Sequence, residues 1–96
     1  MTYDDLRTAL EVFGLPEQAT LKQIKARHRE LVKRFHPDRG KEHDPERIRL
    51  INAAYRLLSD YCTGYAFSFG EDEFYRQNPD ERLRMQFSDD PLWGSK

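Results

Sequence analysis

The chain has 96 residues, of which 34% are charged and 38% are hydrophobic, and its formal net charge is −1. This length suits one compact domain with a modest core, and the high charge favours helices that bury a single stripe. The chain contains no run near the ~20 apolar residues that span a bilayer and no signal-peptide pattern, so we expect no membrane partner. It has only one cysteine, Cys62, and we therefore expect no internal disulfide and a location in the reducing cytoplasm.

The first predicted helix runs from Asp4 to Phe13. Leu6, Leu10 and Phe13 recur at helical spacing, which places them on one face. Gly14 follows the last of these residues and is a typical helix stop.

A second amphipathic helix is predicted from Thr20, a suitable N-cap, to Phe35. Its apolar stripe consists of Leu21, Ile24, His28, Leu31 and Phe35, which recur at intervals of 3, 4, 3 and 4 residues. We expect His28, on this stripe, to be a core or boundary histidine that is hydrogen-bonded to a neighbour. Pro37 ends the helix because proline disfavours the helical conformation of the preceding residue. Residues 36–44 are therefore predicted to form a loop.

A third helix is predicted to begin with Asp44 as N-cap and Pro45 at the first helical position, and to run to about Asp60. Its stripe consists of Ile48, Ile51, Tyr55, Leu58 and Cys62. Ala54 offers a small surface for close approach of another helix. The second and third helices should pair as a long antiparallel hairpin around the loop.

The near-neutral net charge conceals a separation of charge along the chain. Residues 21–39 contain seven basic and two acidic residues, whereas residues 60–96 contain four basic and eight acidic residues. The seven basic residues are Lys22, Lys25, Arg27, Arg29, Lys33, Arg34 and Arg39. Such runs are often simply solvated faces, but an electropositive surface that steers an acidic partner has the same signature.

The C-terminal third is acidic and rich in aromatic residues. Around Gly64 and Gly70 the pattern leaves open a frayed last helix or an irregular segment. The run Asn78-Pro79-Asp80-Glu81 predicts a helix start, and Leu83 and Phe87 share one face of that helix. We expect residues 69–96 to form an extension with a short helix near 79–87. It could pack back on the preceding domain, stay disordered or bind a client protein.

Four pieces of the sequence together resemble the J-domain family of DnaJ-like co-chaperones. They are the signature tripeptide His36-Pro37-Asp38, the basic-aromatic run Leu31–Phe35 before it, the third-helix pattern Asn52–Asp60, and Leu10–Leu15 at the end of the first helix. The resemblance covers about residues 3–65. It implies an all-α fold with a short first helix and a long antiparallel hairpin, and we assign residues 1–68 to this domain.

The resemblance also implies a function. In the family, the loop and the basic face of the second helix dock on a DnaK-type heat-shock chaperone near its interdomain linker and stimulate its ATPase. The implied partner-binding residues are His36, Pro37, Asp38, Lys25, Arg29, Lys33, Arg34 and Arg39. None of them is expected to be catalytic, and no cofactor or metal is expected. Two features depart from the family pattern: Glu30 stands where the family is often basic, and the basic fourth-helix motif is absent after Asp60.

Other functions fit the sequence less well. A basic helix in a three-helix unit could bind nucleic acid, but the chain is slightly acidic and the helix ends in a proline loop, so no nucleic-acid partner is expected. A metal site would have to use His28, His36, His43 and Cys62, which lack ligand-like spacing. An enzyme is disfavoured because the chain has no glycine-rich phosphate loop and no paired nucleophile and base.

Overall fold

The structure, a computed structural model, describes residues 1–36 and 44–88. These residues form five α-helices and no strand: α1 (Tyr3–Phe13), α2 (Leu21–Phe35), α3 (Pro45–Thr63), α4 (Glu71–Gln77) and α5 (Pro79–Ser88). The chain divides into two compact units, Met1–Tyr65 with α1 to α3 and Ala66–Lys96 with α4 and α5. The expected all-α fold is confirmed.

Local side-chain hydrogen bonds define where α1 and α2 begin. Thr20 accepts a hydrogen bond from the backbone N–H of Gln23, and the Gln23 side chain accepts one from the backbone N–H of Thr20. Thr2 and Asp5 form the same reciprocal pair at the start of α1. Each pair satisfies amide donors that lack a partner in the first turn of a helix. The predicted start of α2 is confirmed, and α1 begins one residue earlier than predicted.

Helix α1 ends as predicted, whereas α3 is longer than predicted. Gly14 has φ 64° and ψ 34°, a left-handed conformation that glycine adopts without steric cost. In α3, the helical hydrogen bonds continue past Asp60 to Thr63, because no glycine or proline interrupts the chain before Gly64. The amide of Gly64 donates to the Asp60 carbonyl oxygen at 3.0 Å and so closes the last turn.

The predicted stripes of α2 and α3 meet in one core. Its buried residues are Ala9, Phe13, Ile24, Leu31, Phe35, Ile51, Ala54 and Leu58. The largest fully buried side chains are Phe13 of α1 and Ile51 of α3. Leu21, at the first position of the α2 stripe, is instead 43% exposed, because it lies in the first turn of the helix. The core therefore forms between three helices, as the periodicity of the sequence predicts.

The contacts between α2 and α3 establish that the hairpin is antiparallel. The end of α2, at Phe35, contacts Arg47 in the first turn of α3. The middle of α2, at His28, contacts Asn52 and Tyr55 further along α3. Positions later in α3 thus meet positions earlier in α2, and the ends that flank residues 36–44 lie at the same end of the pair.

In the second unit, α4 was not predicted from the sequence. Its first turn carries Glu71, Asp72 and Glu73, which suit the positive end of the helix dipole. Arg76 donates two hydrogen bonds to the Glu73 carboxylate, at 2.9 and 2.8 Å, and Gln77 donates a third. The bonds from Arg76 and Gln77 lower the pKa of Glu73. Local polar contacts of this kind leave no apolar periodicity in the sequence, and α4 has no buried residue.

Helix α5 begins at Pro79, as the sequence predicts. The side-chain amide of Asn78 donates to the Phe74 carbonyl oxygen at 2.9 Å, so this hydrogen bond closes the end of α4. Leu83 of α5 is 55% exposed. The Phe87 side chain, its expected neighbour on the apolar face, lies outside the described part of the structure.

Candidate functional site

Helix α2 carries a row of exposed cationic side chains on the side away from its core stripe. The row, termed here the basic stripe, consists of Lys22, Lys25, Arg29 and Lys33. Their spacing of 3, 4 and 4 residues keeps them on one face of the helix. Within residues 1–36 and 44–88, none of the four takes part in an ion pair. All four side chains are exposed to solvent.

His36 continues the basic stripe beyond the end of the helix. It follows Lys33 by three residues and is the C-cap of α2, half-buried, with φ −62° and ψ 133°. This extended conformation is the one that a following proline imposes. The basic stripe therefore leads directly to the first residue of the tripeptide. Pro37, Asp38 and Arg39, and with them most of the predicted loop, lie outside the described residues.

Arg34 lies on a flank of α2 and not on the basic stripe. Its side chain is exposed, and its guanidinium carbon is 5.2 Å from the centroid of the Phe35 ring. Lys33 and Arg34 both occupy the last turn of α2, where the negative end of the helix dipole favours cations. The last turn of α2 thus carries one positive side chain on the basic stripe and one on the flank.

Arg27 interacts within the domain. Its Nε donates to the carbonyl oxygen of Phe13 at 2.7 Å, and its Nη1 lies 3.1 Å from Oε1 of Glu30. Arg27 therefore ties the end of α1 to α2. Glu30 is the acidic residue of α2 that departs from the family pattern, and in the structure its carboxylate pairs with Arg27 and not with a residue of the basic stripe.

The two helix ends that flank the predicted loop are joined by a contact that the sequence pattern does not reveal. The ring of Phe35, the last residue of α2, is only 5% exposed. The guanidinium carbon of Arg47, in the first turn of α3, is 5.0 Å from the ring centroid. The backbone N–H of Arg47 also donates to Oδ1 of Asp44, the N-cap of α3, at 3.0 Å.

His28 is a boundary histidine with a hydrogen-bonded neighbour, as expected. Its ring stacks on Tyr55 with centroids 4.0 Å apart and planes 6° apart, and it lies nearly parallel to Phe13 at 6.2 Å. Its Nε2 is 3.1 Å from Oδ1 of Asn52. These contacts give His28 a role in packing α2 against α3.

Two further properties of the described residues bear on function. No three His, Cys, Asp or Glu side chains among residues 1–36 and 44–88 are grouped so that they could hold a metal ion. In the same part of the chain, no helix has the length and apolar character needed to cross a membrane.

The family assignment follows from comparison with known proteins. Residues 8–63 match the family model of the DnaJ domain. The match begins within α1, includes all of α2, and ends with the last residue of α3, and it covers more than half of the 96 residues. The chain belongs to the DnaJ-domain family. It therefore has a J-domain, and the predicted family resemblance is confirmed.

Similar curated proteins carry the same family name. The chain is 44% identical over 54 residues to the chaperone protein DnaJ of Ureaplasma parvum, covering 56% of this chain and 14% of that protein. It is 42% identical over 52 residues to chaperone protein DnaJ of Caldicellulosiruptor saccharolyticus, covering 52% and 13%. It is 41% identical over 51 residues to chaperone protein DnaJ 2 of Aquifex aeolicus, covering 52% and 14%. The similarity thus spans about one seventh of the relatives' length. No solved structure matches this chain.

Proposed function

We propose that this protein is a co-chaperone that stimulates the ATPase of a DnaK-type chaperone. The observation that carries the proposal is the basic stripe of α2. Its exposed cations are followed, at the same helical spacing, by His36 of the His36-Pro37-Asp38 tripeptide. This surface lies entirely within the residues that match the DnaJ domain.

The parts of this surface have separable roles. Lys25, Arg29 and Lys33 supply positive charge that attracts an acidic face of the chaperone, and Arg34 and Arg39 add charge on either side of the tripeptide. The Asp38 carboxylate is suited to a bidentate hydrogen bond with an arginine of the chaperone. Pro37 restricts the backbone at the start of the loop. In this mechanism the J-domain makes and breaks no covalent bond.

Stimulation then follows from differential binding. A J-domain that binds the hydrolysis-competent conformation of the chaperone more tightly than the other conformations raises the population of that conformation. The size of the effect is limited by the difference in affinity between the two states. The co-chaperone needs no cofactor for this, and with such a partner it would act in the cytoplasm.

A single-turnover ATPase assay with the DnaK-type chaperone of the same organism tests the proposal. Asp38→Asn keeps the size of the side chain but removes its charge, so we expect it to abolish stimulation while the far-UV circular dichroism spectrum stays the same. Asp60→Asn, at an exposed position of α3, is the matched control and should stimulate like the wild type. Equal stimulation by the Asp38→Asn variant and the wild type would contradict the proposal.

The extension, residues 69–96, is proposed to contact a client protein. It carries exposed large apolar side chains among acidic residues: Phe69 is 93% exposed, Phe74 48% and Leu83 55%. Burial of these side chains against a client would remove apolar surface from water and so favour binding. In this arrangement the J-domain recruits the chaperone and the extension selects the client.

A further inference from the structure

The Phe35 ring is contacted by guanidinium groups from two different helices. Arg34 belongs to α2, the same helix as Phe35, and its guanidinium carbon is 5.2 Å from the ring centroid. Arg47 belongs to α3, and the corresponding distance is 5.0 Å. Both distances are within the ~6 Å over which a cation is attracted to an aromatic face.

Of these two ring contacts, only that of Arg47 connects α2 with α3, the two helices that flank the tripeptide. The contact of Arg34 with Phe35 lies within one helix and therefore cannot fix the distance between α2 and α3. Arg47 is anchored at its own helix start, because its backbone N–H donates to the Asp44 side chain. Its side chain then reaches the last residue of α2, directly before His36. The contact therefore holds together the two points where residues 36–44 leave and rejoin the hairpin.

Fixing these two points has a consequence for binding. A binding residue that is held in place has fewer conformations to lose when it binds a partner. If only a fraction of the free molecules is competent to bind, the apparent dissociation constant rises in inverse proportion to that fraction. A contact that raises this fraction changes the concentration needed for binding and leaves the bound state unchanged.

We propose that Arg47 is a positioning residue for His36, the first residue of the tripeptide, and that it acts through the Phe35 ring and not by contact with the chaperone. This inference rests on the proposed co-chaperone function. Arg47 itself is exposed, so direct contact with the chaperone is the competing explanation, and the two differ in their dependence on Phe35 and on salt.

The test is a titration of the ATPase assay with the full chain carrying Arg47→Ala. We expect the half-saturating concentration to rise about three- to tenfold, in line with the strength of a partly desolvated cation–aromatic contact. The maximal stimulated rate should stay at the wild-type value, in contrast to Asp38→Asn. Arg56→Ala, at another exposed arginine of α3, is the matched control and should leave both values unchanged.

Two measurements separate positioning from direct contact. Arg47→Ala should add little to the effect of Phe35→Leu, because both substitutions remove the same contact. Should Phe35→Leu fail to fold, the salt dependence of the Arg47→Ala titration decides alone. A positioning residue leaves the slope of affinity against salt concentration unchanged, whereas loss of a direct ionic contact makes it shallower. Additive effects, or a shallower slope, would overturn the proposal.

A local measurement keeps this inference distinct from the co-chaperone function. Amide hydrogen exchange in the last turn of α2 should accelerate in Arg47→Ala and not in Arg56→Ala. If the wild-type chain stimulates no DnaK-type chaperone while this acceleration is seen, the proposed function fails and the role of Arg47 at the helix ends stands. Unchanged exchange in Arg47→Ala would overturn the positioning role itself.

Discussion

Arg27 and Arg29 lie two positions apart on α2 and use their guanidinium groups differently. Arg27 points toward α1, where it donates to the Phe13 carbonyl oxygen and pairs with Glu30. Arg29 belongs to the basic stripe and is exposed. The helical period separates the two directions by about 200°. One arginine is thus bonded within the domain, whereas the other is exposed, as the proposed contact with the chaperone requires.

Replacing Arg27 tests this distinction. Arg27→Ala removes the charged donor that bonds the Phe13 carbonyl oxygen in the last turn of α1. Hydrogen bonds to charged groups contribute about 1.5–3 kcal/mol to the free energy of unfolding. The Arg27 side chain is 42% exposed, so solvent weakens the bond. We therefore expect a loss of about 1 kcal/mol in the free energy of unfolding, measured by urea denaturation. Arg29→Ala should change this free energy by less than ~0.5 kcal/mol. Equal losses in the two variants would contradict the assignment.

At the scale of the element, short-range hydrogen bonds determine where the helices of the hairpin begin. In α2, Thr20 and Gln23 each satisfy a backbone donor of the other, at 3.1 and 2.7 Å. In α3, Asp44 accepts from Arg47 and Pro45 occupies the first turn. Each of these side chains satisfies a backbone amide that the first turn of a helix otherwise leaves without a partner.

Loss of the Thr20 cap should therefore destabilise the hairpin. Thr20→Ala removes the side-chain acceptor for the Gln23 amide, and such losses cost about 1 kcal/mol in the free energy of unfolding. Thermal or urea denaturation measures the change. Thr8→Ala, at an exposed position within α1, controls for the loss of a threonine and should be neutral or slightly stabilising, because alanine has the higher helix propensity. A Thr20→Ala variant as stable as the wild type would show that the cap does not limit stability.

At the scale of the whole molecule, the separation of charge should make chaperone binding sensitive to salt. The basic stripe is exposed, so dissolved ions screen it over about 8–10 Å at physiological ionic strength. Replacing Lys25 and Arg29 together by alanine should lower the association rate constant more than it raises the dissociation rate constant, because charge at the rim of an interface mainly accelerates encounter. Surface plasmon resonance at low and high salt measures both constants. Equal affinities of the wild type at the two salt concentrations would contradict electrostatic steering.

A second prediction at this scale concerns the proposed domain division. A chain ending at residue 68 retains α1 to α3 and every residue of their shared core. We expect it to unfold at the same temperature as the full chain and to stimulate the chaperone ATPase equally, since the proposed docking surface is intact. A rise in chaperone affinity on truncation would show that the extension covers the basic stripe. A truncated chain that fails to fold would refute the division.

Much of the fold follows from the sequence because its determinants are close together in the chain. The apolar periods of α2 and α3, the cap residues Thr20 and Asp44, and the stop at Gly14 all act within a few residues. The tripeptide His36-Pro37-Asp38 and the cations before it likewise identify the candidate site without any knowledge of packing. Helix α4 is the exception among the described helices, because a seven-residue helix stabilised by polar contacts has no apolar period to detect.

The tertiary structure alone decides which partner each side chain takes across helices. A period of 3.6 residues assigns a residue to a face, but it does not specify what lies opposite that face. The bond from Arg27 to Phe13, the stacking of His28 on Tyr55, and the contact of Arg47 with Phe35 all join residues more than ten positions apart. Each depends on how α1, α2 and α3 are placed around their common core. For this reason the helical period of the sequence places Arg27 on a different face of α2 from the basic stripe, and only the packing of the helices gives Arg27 its bond to the Phe13 carbonyl oxygen.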